Sequence, residues 1–269
     1  MDLQLKGKRA LVTGSNGGIG AAIAQALADE GVSVVLHGRN EEKLAAAEAE
    51  ISGRGGAVAS AAGDLSTDEG AHGVAAKAVD AFGGIDILVN NAGGASETGG
   101  GSWFDLAPSE WAATYQSNVI SAGRLIHQVV PGMKADGWGR IIQISSAAGI
   151  IPTSGQPDYG PSKAALVNMS MGLSKALAGS GITVNTVSPG MIMTDKLVEF
   201  LRRFAEKRGW GDDVDRATDY VLKGTGQTVT RIGQVEDVAY AVTMLASPNS
   251  GFINGVNLHL DGGGTGSIY

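Results

Sequence analysis

Apolar positions in this chain follow two alternating patterns. Short runs dense in Val, Ile and Leu recur along its length: "RALVTG", "SVVLHG", "AVASAAGD", "DILVNNAG", "RIIQISS", "ITVNTVSPG" and "GVNLHLDGG". Runs apolar at successive positions belong to strands covered on both faces, so seven buried strands are predicted. The stretches between them carry apolar residues at helical spacing. In the first, Ile19, Ile23 and Leu27 fall at i, i+4 and i+8, and Gly31 follows as the stop. Strand–helix alternation requires right-handed crossovers and yields a parallel sheet with helices on both faces. The fold class predicted is therefore α/β and doubly wound. No Pro/Ser-rich linker or internal repeat interrupts the march, so residues 1–269 are read as one domain. The charged, helical stretch at about 194–230, between the sixth and seventh strands, is read as a lid over a substrate site.

Composition narrows the classes. With 43% hydrophobic and 17% charged residues in 269, a large ordered core is expected. The 42 glycines follow no three-residue period, which excludes collagen and implies many tight turns. A net charge of -7 argues against nucleic-acid or anionic-membrane partners. Without cysteine there is no disulfide, thiolate nucleophile or zinc–thiolate site, and no metal is expected. The opening "MDLQLKGKRALVTG" lacks a signal-type apolar core and no run reaches a membrane span, so a cytoplasmic protein is expected.

Candidate chemistry begins after the first strand. "LVTGSNGGIG" sets Gly14, Gly18 and Gly20 where a strand passes into a helix. Glycines there let backbone approach a pyrophosphate, and the helix N-terminus offers free N–H groups and positive dipole. The spacing is G-x-x-x-G-x-G, not the dinucleotide fingerprint G-x-G-x-x-G. At the end of the second strand, "VVLHGRNEEKL" offers Arg39 and no acid until Glu41. An acid at that tip would repel a 2′-phosphate and an arginine would attract it, so NADP is preferred over NAD. Glu41 and Glu42 fit the first turn of the next helix.

In "DYGPSKAALVNMS", Tyr159 and Lys163 lie one helical turn apart on one face. Pro161 is tolerated only in a first turn, so the helix starts near Asp158 and presents Tyr159 at the carboxyl edge of the sheet. A phenol titrates near pH ~10, and a neighbouring cation favours phenolate. Such a tyrosine can give a proton to a carbonyl oxygen or take one from an alcohol. A serine hydroxyl from "IIQISSAAG", Ser145 or Ser146, can hold that oxygen.

These pieces, with "GDLS", "NNAG", "SNVISA", "SPGMIMTD" and a terminal "DGG", stand in an order that resembles the short-chain dehydrogenase/reductase family over essentially the whole chain. The resemblance implies a Rossmann-type doubly wound, seven-stranded parallel sheet. It implies Tyr159 as acid/base, with Lys163 lowering its pKa and binding the nicotinamide ribose. Thirteen residues before the tyrosine, it selects Ser146 over Ser145. Asn118 in "SNVI" matches the asparagine supporting a proton-relay water. For the cofactor it implies Gly14, Ser15, Gly18, Ile19 and Gly20 at the first turn, Asp64 at the adenine, and Asn91, Ala92 and Gly93 along the ribose. Pro189, Gly190, Ile192 and Thr194 match the segment that orients the nicotinamide carboxamide. NADP-preferring members place a basic residue where Arg39 stands. Asn16 occupies a spot often basic in such members, which keeps NAD possible.

The implied activity is NADP(H)-dependent interconversion of a secondary alcohol and a ketone. Two alternatives stand beside it: a 3-oxoacyl-carrier-protein reductase of fatty-acid synthesis, and a non-catalytic nucleotide sensor or scaffold. A homotetramer or homodimer is implied as well. Substrate-facing candidates are the loop "NNAGGASETGGGSWF" and, in the lid, Leu197, Leu201 and Phe204 with Phe200, Trp210 and Tyr220. Arg202, Arg203, Lys207 and Arg208 are read as a solvated face balanced by Asp212, Asp213 and Asp215.

Overall fold

A computed structural model describes residues 1–95 and 103–266; residues 96–102 of the glycine-rich loop, a substrate-facing candidate in the sequence, lie outside the described residues. β1 (Arg9–Val12) leads to α1 (Gly18–Asp29), β2 (Ser33–Gly38) to α2 (Glu41–Gly53), and β3 (Val58–Ala62) to α3 (Asp68–Phe82). β4 (Ile87–Asn90) is followed by α4 (Pro108–Tyr115), a π-helical turn (Gln116–Ile120) and α5 (Ser121–Asp136). β5 (Gly139–Ile144) precedes α6 (Tyr159–Ala176), and β6 (Ile182–Pro189) precedes α7 (Asp195–Lys207), α8 (Val214–Thr225) and α9 (Val235–Ala246). β7 (Asn257–Leu260) completes the sheet.

Each of the seven apolar runs forms a strand. The order is β3-β2-β1-β4-β5-β6-β7 and every pairing is parallel. Side chains alternate between two cores, as a strand covered on both faces demands. Ala10 and Val12 of β1 join Ile23 and Leu27 of α1 and Val242 of α9 on one face. Leu11 between them joins Val74 of α3, Leu125 of α5 and Met133 on the other. The crossovers from β1 and β4 thus leave on opposite sides. Their diverging carboxyl ends form the crevice where open sheets of this kind bind ligands.

Caps fix the helices around that crevice. The Asn40 side chain accepts the Lys43 N–H at 2.9 Å, which puts Glu41 and Glu42 in the first turn of α2 as the sequence predicts. Thr194 caps α7 and Asp213 caps α8. These two helices share a small cluster of Leu201, Ala205, Ala217 and Ile232, against which Leu197, Phe204 and Trp210 pack. Phe200 and Tyr220 remain about half exposed. The arginines differ from expectation. Arg202 and Arg203 pair with Glu199 at 3.1 and 2.8 Å, one turn back on α7, and not with the aspartates. A helix brings i, i+3 and i+4 partners together before any neighbouring element does.

Leu27 is fully buried between α1 and the sheet. Leu27→Ala is expected to destabilise the fold by about 2–5 kcal/mol, read as a lower urea midpoint at unchanged slope.

Candidate active site

The glycine turn leaves little room for a side chain at Gly14 and none at Gly20. Gly14 and Gly18 take φ of 62° and 54°, a region L side chains rarely adopt. A Cβ on Gly20 would run into the Gly14 carbonyl, so the first turn of α1 lies directly against the loop. Gly17 stands at the N-cap without a side-chain cap, and the first turn holds no acid. The helix therefore presents open N–H groups and an uncompensated positive dipole. Ser15 is buried, its hydroxyl donating to the Val12 carbonyl at 2.7 Å. Ile19 is half-buried against the α1 core.

Asn91 fastens this turn to β4. Its side-chain amide donates to the carbonyls of Thr13 and Gly14 at 2.9 and 3.0 Å. The N–H groups of Asn91 and Ala92 both donate to the Thr13 hydroxyl at 2.9 Å. Gly93, at φ 143°, leaves room for Asn118, since a Cβ there would collide with its Oδ1. Asn118 is buried on the π-helical turn, a distortion frequent at functional sites. Its Oδ1 accepts the Gly94 N–H at 2.8 Å, and its Nδ2 donates to the Gly94 carbonyl and to Ser162 Oγ at 3.0 and 2.8 Å. These bonds tie the end of β4 to α6, and none of them reaches the side chain of Tyr159 or Lys163.

The two serines after β5 separate cleanly. The Ser145 hydroxyl donates to the Lys163 carbonyl at 2.8 Å and is committed to holding α6. The Ser146 hydroxyl accepts the Ala148 N–H at 3.2 Å and interacts with the Tyr159 phenol. Tyr159 is the first residue of α6, with Pro161 inside the first turn. Lys163 Nζ lies 5.6 Å from the Tyr159 ring centroid and donates to the Ile144 carbonyl at 2.8 Å.

Burial reverses the electrostatic expectation for the tyrosine. Desolvation pushes the Tyr159 phenol above its usual value, while the hydrogen bond with Ser146 works the other way. Desolvation also pushes Lys163 down to about 8. Spacing reveals the neighbouring cation, but the low-dielectric surroundings of both groups outweigh it.

The remaining predicted residues line the same edge of the sheet. Arg39 is exposed beyond β2 and forms no ion pair among the described residues. Asp64 is exposed beyond β3, held below the usual carboxylate range chiefly by the Ser66 N–H at 3.0 Å. Pro189 ends β6. The Gly190 N–H donates to Leu260 at 2.9 Å, and a Cβ there would meet Asp261 Cα at 2.8 Å. Ile192 is bridged to Gly233, and Thr194 faces the glycine turn, 3.8 Å from where a Gly18 Cβ would stand. A cavity of about 360 Å³ adjoins this point between Ser15, Gly18, Gln25 and Thr194, running along α1 away from Tyr159. Among the described residues no group of acids and histidines converges for a metal.

Sequence reasoning missed three supporting residues. Thr13 is the hub for Asn91 and Ala92. The Thr114 hydroxyl donates to the buried Asp158 carboxylate just before Tyr159. His37 is buried beneath the glycine turn, its Nδ1 accepting the Gly14 N–H at 3.2 Å. The one signal for it was a polar ring closing the apolar run "SVVLHG".

Known proteins match this chain in sequence and fold. The family description "short chain dehydrogenase" matches residues 8–203. The chain is 36% identical to an uncharacterized oxidoreductase, YvrD, of Bacillus subtilis, covering 98% of each. It is 33% identical to the 3-oxoacyl-[acyl-carrier-protein] reductase FabG of Vibrio cholerae, covering 97% of this chain and 98% of that one. Among solved structures, L-sorbose reductase of Gluconobacter frateurii, complexed with NADPH and L-sorbose, superposes with a TM-score of 0.94 at 32% identity over 100% of both chains. The chain belongs to the short-chain dehydrogenase family of oxidoreductases.

A lysine depressed by burial binds fewer protons folded than unfolded, so its contribution to stability grows from pH 8 to 10.5 and is lost as pH falls through 8. At pH 7 the wild type carries the whole penalty. Lys163→Met is therefore expected to stabilise the fold at pH 7 by about 1–3 kcal/mol, with the gain shrinking as pH rises from about 8 to 10.5. Urea denaturation across that pH range checks it.

Proposed function

We propose that the chain is an NADP(H)-dependent oxidoreductase that interconverts a ketone and a secondary alcohol, with Tyr159 as acid/base. The observation that carries this reading is the Ser146–Tyr159–Lys163 cluster, on the same carboxyl edge of the sheet as an uncapped glycine turn. The turn fits a dinucleotide: Gly14, Gly18 and Gly20 clear the backbone's approach, and the α1 N-terminus offers unshared N–H donors. Arg39 would meet a 2′-phosphate, Asp64 the adenine, and Asn91 to Gly93 the ribose. Gly190, Ile192 and Thr194 would face the nicotinamide carboxamide. The NADPH complex of the sorbose reductase supports this choice of cofactor.

Bound NADPH supplies the hydride. Tyr159 gives its phenolic proton to the carbonyl oxygen as negative charge develops there, while the Ser146 hydroxyl donates a hydrogen bond to the same oxygen. In the reverse direction Tyr159 takes the proton of the alcohol. A phenol held protonated by burial is suited to donating at neutral pH, whereas removal of a proton requires phenolate. Lys163, when charged, favours that phenolate and would bind the nicotinamide ribose; Asn118 would support a relay water. The α7–α8 pair would form the lid of the substrate site, and the protein would work as a cytoplasmic homodimer or homotetramer.

The full-length match to a sorbose reductase favours a keto-sugar as substrate. The identity to 3-oxoacyl-carrier-protein reductases favours an acyl thioester as the second reading. Oxidation of NADPH and NADH is to be followed against L-sorbose and other keto-sugars, an acetoacetyl thioester, and cyclic, aromatic and steroid ketones. Turnover of one class with NADPH is expected. Preference for NADH would overturn the role of Arg39, and tight cofactor binding without any turnover would favour a sensor.

Tyr159→Phe is expected to leave NADPH binding within about threefold and to lower turnover by about 10²–10⁴. In the wild type, alcohol oxidation is expected to accelerate as pH rises from about 7 to about 10 while ketone reduction stays nearly level, because the raised phenol remains protonated over that range, checked by initial rates in both directions.

A further inference from the structure

His37, the fifth residue of β2, lies 3% exposed below the glycine turn. Four hydrogen bonds pass through it. Its Nδ1 accepts the Gly14 N–H at 3.2 Å, and its Nε2 lies 3.2 Å from the Gly63 carbonyl. Its backbone N–H donates to Ser15 Oγ at 2.9 Å, and its carbonyl accepts the Ser15 N–H at 2.8 Å. The two ring contacts define one protonation state. A backbone N–H only donates, so Nδ1 must carry a lone pair, and a carbonyl only accepts, so Nε2 must carry the proton. The ring therefore joins the turn read as the pyrophosphate site to Gly63, the neighbour of Asp64 on the adenine side.

We propose that His37 is a positioning residue that latches the glycine turn for the nucleotide, and that its protonation opens the latch. This rests on the cofactor reading above. An imidazolium would set the Nδ1 proton against the Gly14 N–H and leave that donor unpartnered. Gly14 is also where Asn91 fastens the turn to β4, so a loosened Gly14 disturbs the carbonyl that Gly20 packs against. The charged groups that act on the ring are Arg39, past the end of β2, which opposes protonation, and Asp64, past β3, which favours it. Burial opposes it more strongly than either and holds His37 below its ordinary value.

The test is the affinity of the purified protein for NADPH, measured by fluorescence titration between about pH 5.5 and 8 for wild type, His37→Ala and His37→Asn. Asparagine sets a carbonyl oxygen where Nδ1 stood and still accepts from Gly14, but it does not titrate. His37→Ala is expected to bind NADPH about tenfold more weakly at pH 7.5, and His37→Asn within about threefold of wild type. Wild-type affinity is expected to fall toward the acid end of that range more steeply than that of His37→Asn. The 2′-phosphate of NADPH titrates equally in both, so the difference in slope belongs to the ring. Thermal melts establish that each variant is folded; if His37→Ala is not, the asparagine comparison decides. Wild-type affinity in His37→Ala, asparagine as weak as alanine, or parallel pH profiles would overturn the latch. A wild type that bound neither NADPH nor NADH would overturn the cofactor reading and the latch with it.

Discussion

The amide of Asn91, donating to the carbonyls of Thr13 and Gly14, closes the point at which the sheet changes direction. β1 and β4 are neighbours whose crossovers leave to opposite sides, so the chain parts just past their ends. That parting leaves two carbonyl oxygens and two N–H groups where the strand ladder runs out. Left unpaired in a half-buried crevice, such groups would carry the full cost of desolvation. Asn91 and the Thr13 hydroxyl satisfy all four, and in doing so they set the distance between the glycine turn and the end of β4. The close approach of Gly20 to Gly14, the room left by Gly93 for Asn118, and the seat of α6 all build outward from that rim.

The same geometry places a buried lysine beside a partly buried tyrosine. Lys163 satisfies its ammonium with a strand carbonyl, Ile144, and has no carboxylate partner among the described residues. Burial shifts Tyr159 and Lys163 toward their neutral forms, the phenol upward and the amine downward. A phenolate or an ammonium alone would be strongly disfavoured there, and each is less so in the presence of the other. The pair therefore stands near a balance that a bound ligand can tip. Stability at neutral pH is lost by keeping the lysine there.

Much of this is legible from residue order. Seven apolar runs mark seven strands because a strand covered on both faces has no polar side. Pro161 locates the start of α6, since few other positions tolerate a proline. What does not show are properties created by the assembled fold. Ser145 and Ser146 are adjacent and chemically identical; only the backbone of Lys163, brought against one of them, assigns Ser145 to structure. The direction of the Tyr159 shift depends on surrounding density, which spacing does not encode. His37 reads as a polar strand end because its partners, Gly14 and Gly63, lie 23 and 26 positions away. For Arg202 and Arg203 the signal is local, since Glu199 stands three and four residues before them on the same helix.

The stretch after β6 joins the two halves of the site through very few atoms. Gly190 is held to the end of β7, Ile192 is bridged to Gly233, and the Thr194 side chain caps α7 while facing Gly18. Beyond it, α7 and α8 close on a cluster of their own, with Arg208 set over the rings of Phe204, Trp210 and Tyr220 and bonded to the Tyr220 hydroxyl at 3.1 Å. Such a cluster moves more readily as a body than piecemeal, because separating its members exposes apolar surface and unstacks a guanidinium. Thr194 is the residue at which that body meets the glycine turn. The cap it gives α7 and the face it shows Gly18 belong to one side chain, so the orientation of the helical pair and the shape of the crevice beside the glycine turn are set together.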